Sequence, residues 1–294
     1  HARHEQGGAF MALGAALVSG RPQVFTVVPG PGLLNAGAAL LTAEAMNAPV
    51  IGLIGQIPHG EIDRGHGYLH EIRDQLGLAR HLGKFAARIA APAEAPRLVA
   101  EAFAAARRGR PGPALLECGM DVWGRTGMVG AIDAPLAVPT PPIDEDAVAR
   151  AAQLLGRAKR PIIVVGGGAQ DASAEVTALA EMLEAPVIAY RRGQGVVSAR
   201  HRLSVNLPIG HRLWKDADAV LAIGTRLLIQ QSQWGVAPSL PIVRVDIEPA
   251  EPARLNRPAV ALVGDAAAYA RALLRALPGH NIERAPADLA PHRA

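Results

Sequence analysis

The residues best suited to chemistry open the chain, in His4-Glu5-Gln6-Gly7-Gly8-Ala9-Phe10-Met11-Ala12-Leu13-Gly14. Glu5 heads an apolar run in which Phe10, Leu13 and Leu17 recur at helical spacing, so the spacing predicts a helix that turns these three toward a core. A carboxylate at a helix start is favoured by the helix dipole. A protected cleft there would raise its pKa by desolvation and fit it for proton transfer. The same residue also reads as an ordinary acid that caps the helix.

Three further groups carry chemical potential. His59, His66 and His70 fall in and after the Gly- and His-rich stretch 56–67, but no fourth ligand follows at metal-site spacing, so no metal ligand is assigned. Loops at the carboxyl ends of strands are nevertheless where α/β proteins place ligands. Gly166-Gly167-Gly168 stands between an apolar run and a helical one, where bare backbone can approach a phosphate at a helix start. It does not complete the dinucleotide fingerprint, and a tight packing turn explains it equally. Cys118, the single cysteine, lies in an apolar run and reads as a small buried hydrophobe, with no internal disulfide available.

The elements that must position these residues alternate. Strands are expected at Val24–Val28, Pro49–Ile54, Phe85–Ala90 and Ala114–Cys118, with an Ala-rich helix over 93–108. Pro29-Gly30-Pro31-Gly32-Leu33-Leu34-Asn35 breaks the first strand sharply before another apolar helix. Residues 125–143 turn to Gly, Pro and short apolar pieces and read as a linker between domains 1–124 and 144–278. The second domain begins with a helix over 144–157 and a strand over 161–165, followed by a helix over 173–184. Strands over 186–190, 219–224, 242–247 and 260–264 follow, with a last helix over 265–277. The polar, Pro-containing tail 279–294 reads as a second linker. This alternation implies an α/β protein of two doubly wound parallel sheets, the second Rossmann-like.

Composition narrows the functions. The 294 residues suffice for two ordinary domains, and with half of them hydrophobic and few aromatic, the cores must be Ala, Val, Leu and Ile. The sequence pI near 9.7 rests on arginine, since Lys84, Lys159 and Lys215 are the only lysines. The densest basic cluster, Arg107-Arg108-Gly109-Arg110, is short and lacks aromatic partners, which argues against a nucleic-acid surface. The longest apolar stretch, Leu33 to Ile54, is cut by Glu44, Asn47 and Pro49, which argues against a membrane span and makes a cytoplasmic protein the expectation. The chain opens mid-motif at His1 without a methionine, so residues upstream are expected.

Arg3-His4-Glu5-Gln6-Gly7, the Gly30-Pro31-Gly32 turn with Asn35, and Gly55-Gln56 occur in one order and at one spacing. The pattern continues through Asp74-Gln75-Leu76-Gly77-Leu78, Lys84 and the run from Gly112 to Val122. Together they resemble the pyrimidine-binding domain of thiamine diphosphate enzymes, in particular the acetolactate synthase group. Gly166-Gly167-Gly168, Gly224-Thr225-Arg226 and Asp246-Ile247-Glu248-Pro249 resemble the same family's central domain. The resemblance implies that Glu5 is the proton-relay acid toward the cofactor's aminopyrimidine. It implies that Gly30, Pro31, Gly32, Asn35 and Gln56 border that ring, with Gly166, Gly167 and Gly168 at a nucleotide. His70, Glu71 and Lys84 become substrate candidates. It further implies thiamine diphosphate as cofactor, decarboxylation and carboligation of a 2-oxo acid such as pyruvate, and a homodimer or homotetramer.

In the family, diphosphate and magnesium are held by a C-terminal domain that starts with Gly-Asp-Gly, a triplet this chain lacks, so the chain alone is expected not to turn over. FAD is implied by the acetolactate synthases, while other relatives carry another nucleotide or none. Three stretches depart from the pattern. Leu69-His70-Glu71 replaces Phe-Gln-Glu, Asn206 to Arg212 stands where a flavin loop would be, and Gln230 to Gln233 replaces a charged segment. Two other readings stay open: a nucleotide-binding module, which needs no acid at position 5, and a non-catalytic homologue acting as a partner subunit.

Overall fold

The computed structural model describes residues 1–130, 136–237 and 239–293. Residues 131–135 of the 125–143 linker, and Ala294 of the tail, lie outside the described residues. The chain divides into two compact units, His1–Pro139 and Thr140–Ala294.

Unit 1 runs α1 (Glu5–Ser19), β1 (Gln23–Val27), α2 (Pro31–Met46), β2 (Val50–Gln56), α3 (Gln75–Leu82), β3 (Phe85–Ile89), α4 (Ala95–Arg107), β4 (Ala114–Gly119) and α5 (Met120–Trp123). Its four strands form a parallel sheet in the order β1-β2-β4-β3. Alternate side chains feed opposite layers, as the two-residue period of a strand requires. Leu115 packs with α1, α2 and α3, whereas Ala114, Leu116 and Cys118 pack with α4.

The buried edge of α1 differs from the one its spacing predicts. Ala9, Ala12, Leu13 and Ala16 are buried, Leu17 is partly buried, and Phe10 is 40% exposed. Small side chains let α1 lie close on Ala36, Ala39 and Ala43 of α2, and that contact fixes the helix rotation. The bulkiest residue therefore does not choose the inner face.

Unit 2 runs α6 (Glu145–Arg157), β5 (Pro161–Val165), α7 (Ser173–Leu183), β6 (Val187–Ala189), β7 (Ser204–Val205), α8 (Leu207–Trp214), β8 (Ala219–Ile223), β9 (Ile242–Asp246), β10 (Val260–Val263), α9 (Ala266–Ala276) and α10 (Ala290–Arg293). Its sheet is parallel, in the order β10-β9-β8-β5-β6-β7, so the strand order reverses between β5 and β8. Ile163 and Val165 face α6, α7 and α9, while Ile162 and Val164 face the α8 side. Both units are thus doubly wound, with helices on the two faces of each sheet.

Helices α3, α5, α8 and α10 and strand β7 go beyond the elements read from the sequence. Strand β7 spans only two residues, too few for any pattern. Helix α8 occupies the stretch set against a flavin loop; Asn206 caps it by accepting from Ile209 N, and Pro208 sits in its first turn, where a missing N–H costs nothing. The tail packs back onto its unit. Arg284 donates to the carbonyls of Leu155, Gly156 and Ala158, and Leu289 is buried against Trp214 and Ile162.

Candidate active site

In unit 1 the candidate residues gather at the carboxyl edge of the sheet. Helix α1 precedes β1 and runs against it, so its first residue, Glu5, comes to the edge where β1 ends and α2 begins. His4 caps α1, its Nδ1 accepting from Gln6 N at 3.2 Å. One turn into α2, the Asn35 amide donates to Glu5 Oε2 at 3.0 Å. Glu5 is half-buried and Asn35 exposed.

The carboxyl of Glu5 is held below the usual carboxylate range. Its own backbone N–H at the helix start contributes most and the Asn35 amide next. Smaller effects come from His4 and His70, and together these outweigh the opposing effect of burial. The expectation of a desolvated acid with a raised pKa is therefore corrected. Too little of the group is removed from water, and the donors around it favour the charged form.

The Gly30-Pro31-Gly32 turn is shaped by close approach. Gly30 has φ +60°, and a Cβ there would stand 2.4 Å from the His70 carbonyl oxygen. A Cβ on Gly32 would meet Val28 Cγ2 at 2.8 Å. Both glycines are buried and Pro31 is exposed, so the glycines pack the turn while Pro31 and Asn35 remain open to a ligand. His70 also has a positive φ, +72°, in the loop that lies against Gly30.

Other candidates have internal tasks. Gln56 is 2% exposed; its Oε1 accepts from Ile57 N at 2.8 Å and its Nε2 donates to Glu117 Oε2 at 3.4 Å. It braces the sheet end and does not line an open cleft. Glu71 accepts from the N–H groups of Gly67 and Tyr68, at 2.8 and 2.9 Å, and so shapes its own loop. Lys84 precedes β3 at the opposite, amino-terminal edge, where its Nζ donates to the carbonyls of Arg108 and Arg110 at 2.6 Å each. The structure therefore brings Glu5, Asn35, Gly30, Pro31, Gly32 and His70 together and leaves Lys84 apart.

The histidines of the loop do not converge on a cation. His66 Nδ1 lies 2.8 Å from Glu61 Oε2, and no cluster of three or more metal-ligating side chains occurs among the described residues. Cys118 is buried in β4, and burial pushes its thiol pKa up.

Sequence reasoning gave no role to Gln75, Arg88 or Glu117. Glu117 is 1% exposed, yet its carboxylate accepts from Arg88 Nε, from Gln75 Nε2 at 3.1 Å and from Gln56 Nε2. The available signal was an acid inside the apolar run Leu115-Leu116-Glu117-Cys118, since a buried charge must be paired.

In unit 2 the glycine turn follows β5 at the point where strand order reverses, the usual crevice for a ligand in such sheets. Its amides are already engaged. Gly166 N donates to Ile223 O and Gly168 N to Gly224 O, each at 3.1 Å. A Cβ on Gly166 would stand 2.4 Å from Gly224 O, so the two turns interlock. Gly166 and Gly168 thus act as packing glycines, and Gly167 sits under Arg192, whose Cβ would lie 3.1 Å from a Cβ there. Amide atoms of Gln230 and Gln231, in the π-helical turn Gln230–Trp234 after β8, are buried without hydrogen-bond partners.

Fold and carboxylate together define an α/β protein with an ionised acid set at the carboxyl edge of a parallel sheet. Comparison with known proteins gives the family. The model for the thiamine pyrophosphate enzyme N-terminal TPP binding domain matches residues 1–78, and that for the thiamine pyrophosphate enzyme central domain matches residues 148–273. The chain is 35% identical to the probable 2-ketoarginine decarboxylase of Pseudomonas aeruginosa, across 97% of this chain and 52% of that protein. It is 34% identical to the probable acetolactate synthase large subunit of Methanocaldococcus jannaschii, across 94% of this chain and 49% of that protein. It is 30% identical to the acetolactate synthase isozyme 1 large subunit of Escherichia coli, across 98% of this chain and 53% of that protein. The chain belongs to the thiamine pyrophosphate enzymes and carries their N-terminal and central domains. It spans about half the length of the relatives it matches.

Proposed function

We propose that the whole protein decarboxylates a 2-oxo acid, with or without transfer of the remaining fragment to an acceptor, using thiamine diphosphate bound against unit 1. The observation that carries this reading is the Glu5–Asn35 pair, an ionised carboxylate fixed by an amide at the sheet's carboxyl edge. When bound, thiamine diphosphate supplies the electron sink for breaking the bond beside the 2-oxo carbon.

The chain's own residues bind and move a proton. Glu5 would take a proton from water onto its carboxylate and hand it to the ring nitrogen of the bound aminopyrimidine, then take it back. Asn35 fixes the orientation of Oε2, and Pro31 and Asn35 border the ring. A carboxylate fits this task because its charged form can take up a proton and its protonated form can donate one. His70, beside Gly30 and close enough to act on the charge of Glu5, is the group offered to the substrate's carboxylate.

Diphosphate and magnesium belong, in this reading, to polypeptide outside this chain. Phe10, Met11, Leu34 and Leu41 leave apolar side chains exposed on α1 and α2, which supports an assembly of at least two copies. A cytoplasmic location fits a chain in which no described helix is long and apolar enough to cross a membrane. A flavin or other nucleotide in unit 2 would need contacts other than the engaged amides of Gly166 and Gly168.

The test is carbon dioxide release from pyruvate and a panel of other 2-oxo acids by the full-length protein. Release that requires both thiamine diphosphate and magnesium is expected for at least one of them. Cofactor binding with no release from any of them would overturn the proposal.

A further inference from the structure

The turn that carries Gly30 is fixed from behind by a side chain that touches neither Glu5 nor Asn35. Gln75, the first residue of α3, is 1% exposed. Its Oε1 accepts from Gly30 N at 2.8 Å, and its Nε2 donates to Gly55 O at 3.0 Å and to Glu117 Oε2 at 3.1 Å. Both ends of the amide are thus engaged, and only one orientation works. The reversed amide would set N–H against the Gly30 N–H and a carbonyl against a carboxylate. The anchor is itself held, because Glu117 is buried and its other oxygen accepts from Arg88 Nε.

Gly30 is therefore gripped on two sides, by the His70 carbonyl and by Gln75. Helix α2 starts at the next residue, and Asn35 lies one turn further on. The angle at which the chain leaves Gly30 sets where the Asn35 amide meets Glu5.

We propose that Gln75 is a positioning residue for the Glu5–Asn35 pair, holding the start of α2 so that the pair is formed before the cofactor's pyrimidine arrives. This rests on the thiamine diphosphate reading.

The test compares the full-length wild type with Gln75→Met and Gln75→Glu. Two quantities are read: calorimetric affinity for thiamine diphosphate with magnesium, and backbone amide exchange of residues 29–36 without cofactor. Gln75→Met is expected to weaken cofactor binding about tenfold, the scale of a lost buried hydrogen bond, and to speed exchange in 29–36 at every pH. Gln75→Glu carries a readout that a space-filling role would not move. A protonated carboxyl can still accept from Gly30 N and donate to Glu117, whereas an ionised one repels Glu117 and donates nothing. Its affinity and protection are therefore expected to recover as pH falls from 7.5 to 5.5, relative to wild type at each pH. Should Gln75→Met not fold, this recovery alone decides. Wild-type affinity in Gln75→Met, or no pH-dependent recovery in Gln75→Glu, overturns the inference and leaves the thiamine reading standing. Failure of the wild type itself to bind thiamine diphosphate overturns both.

Discussion

The Asn35 amide donates to Glu5 Oε2 across 3.0 Å, joining the start of α1 to a residue one turn into α2, thirty positions apart in sequence. This contact, with the N–H at the start of α1, keeps the acid charged in a half-exposed setting. It makes Glu5 a fixed hydrogen-bond acceptor and separates it from a simple capping acid.

Replacing Asn35 by Ala removes one of the two main causes of the lowered Glu5 pKa, so that pKa rises toward the ordinary carboxylate value. In the proposed function Glu5 works as a carboxylate, so activity falls as pH drops through its pKa. The acidic limb of the kcat/KM profile is expected to move to higher pH in Asn35→Ala. Because Asn35 is exposed, its melting temperature should stay close to wild type. An unmoved acidic limb would remove Asn35 from the account.

Gly30→Ala tests the grip on the turn. Alanine at φ +60° costs about 1–3 kcal/mol from the backbone alone, and its methyl would press on the His70 carbonyl. A methyl on Gly14, in α1, would meet nothing within 4 Å, so Gly14→Ala is expected to stabilise by about 0.5–1 kcal/mol. Denaturant unfolding of the full-length protein should show the two substitutions moving in opposite directions.

The strands were legible because a parallel sheet covered on both faces reads as continuous apolar runs, as in Ile162-Ile163-Val164-Val165 and Ala219-Val220-Leu221-Ala222-Ile223. Two-residue β7 carried no such pattern, and α8 hid behind Pro208, which suits a first helical turn as well as a loop. Within the candidate site, Glu5, Asn35 and the Gly30 turn were legible as motif pieces. Their surroundings were not, because these depend on partners distant in sequence. Gln56 reads as a ring-bordering amide and Gln75 as a motif residue with no task until Glu117 is placed between them, and Gly166 to Gly168 look like a phosphate turn until Gly224 closes on it. Phe10 shows the same limit at a helix face, where close alanine packing overrode side-chain size.

Lys84 should prove structural. Its amine joins two carbonyls at the amino-terminal edge of the sheet, so Lys84→Met is expected to cost about 1–3 kcal/mol of stability. The kcat/KM for the 2-oxo acid should stay unchanged. A selective rise in KM at unaltered stability would return Lys84 to the substrate.

In the proposed function Glu5 exchanges a proton with the pyrimidine side of thiamine diphosphate. The most direct test of that role is exchange of the cofactor's C2 proton in heavy water, followed by NMR on the full-length protein and on Glu5→Gln. Exchange is expected to be about 10²–10⁴-fold slower in the variant, the range of a lost acid–base group. Exchange at the wild-type rate in Glu5→Gln with the cofactor bound would contradict it.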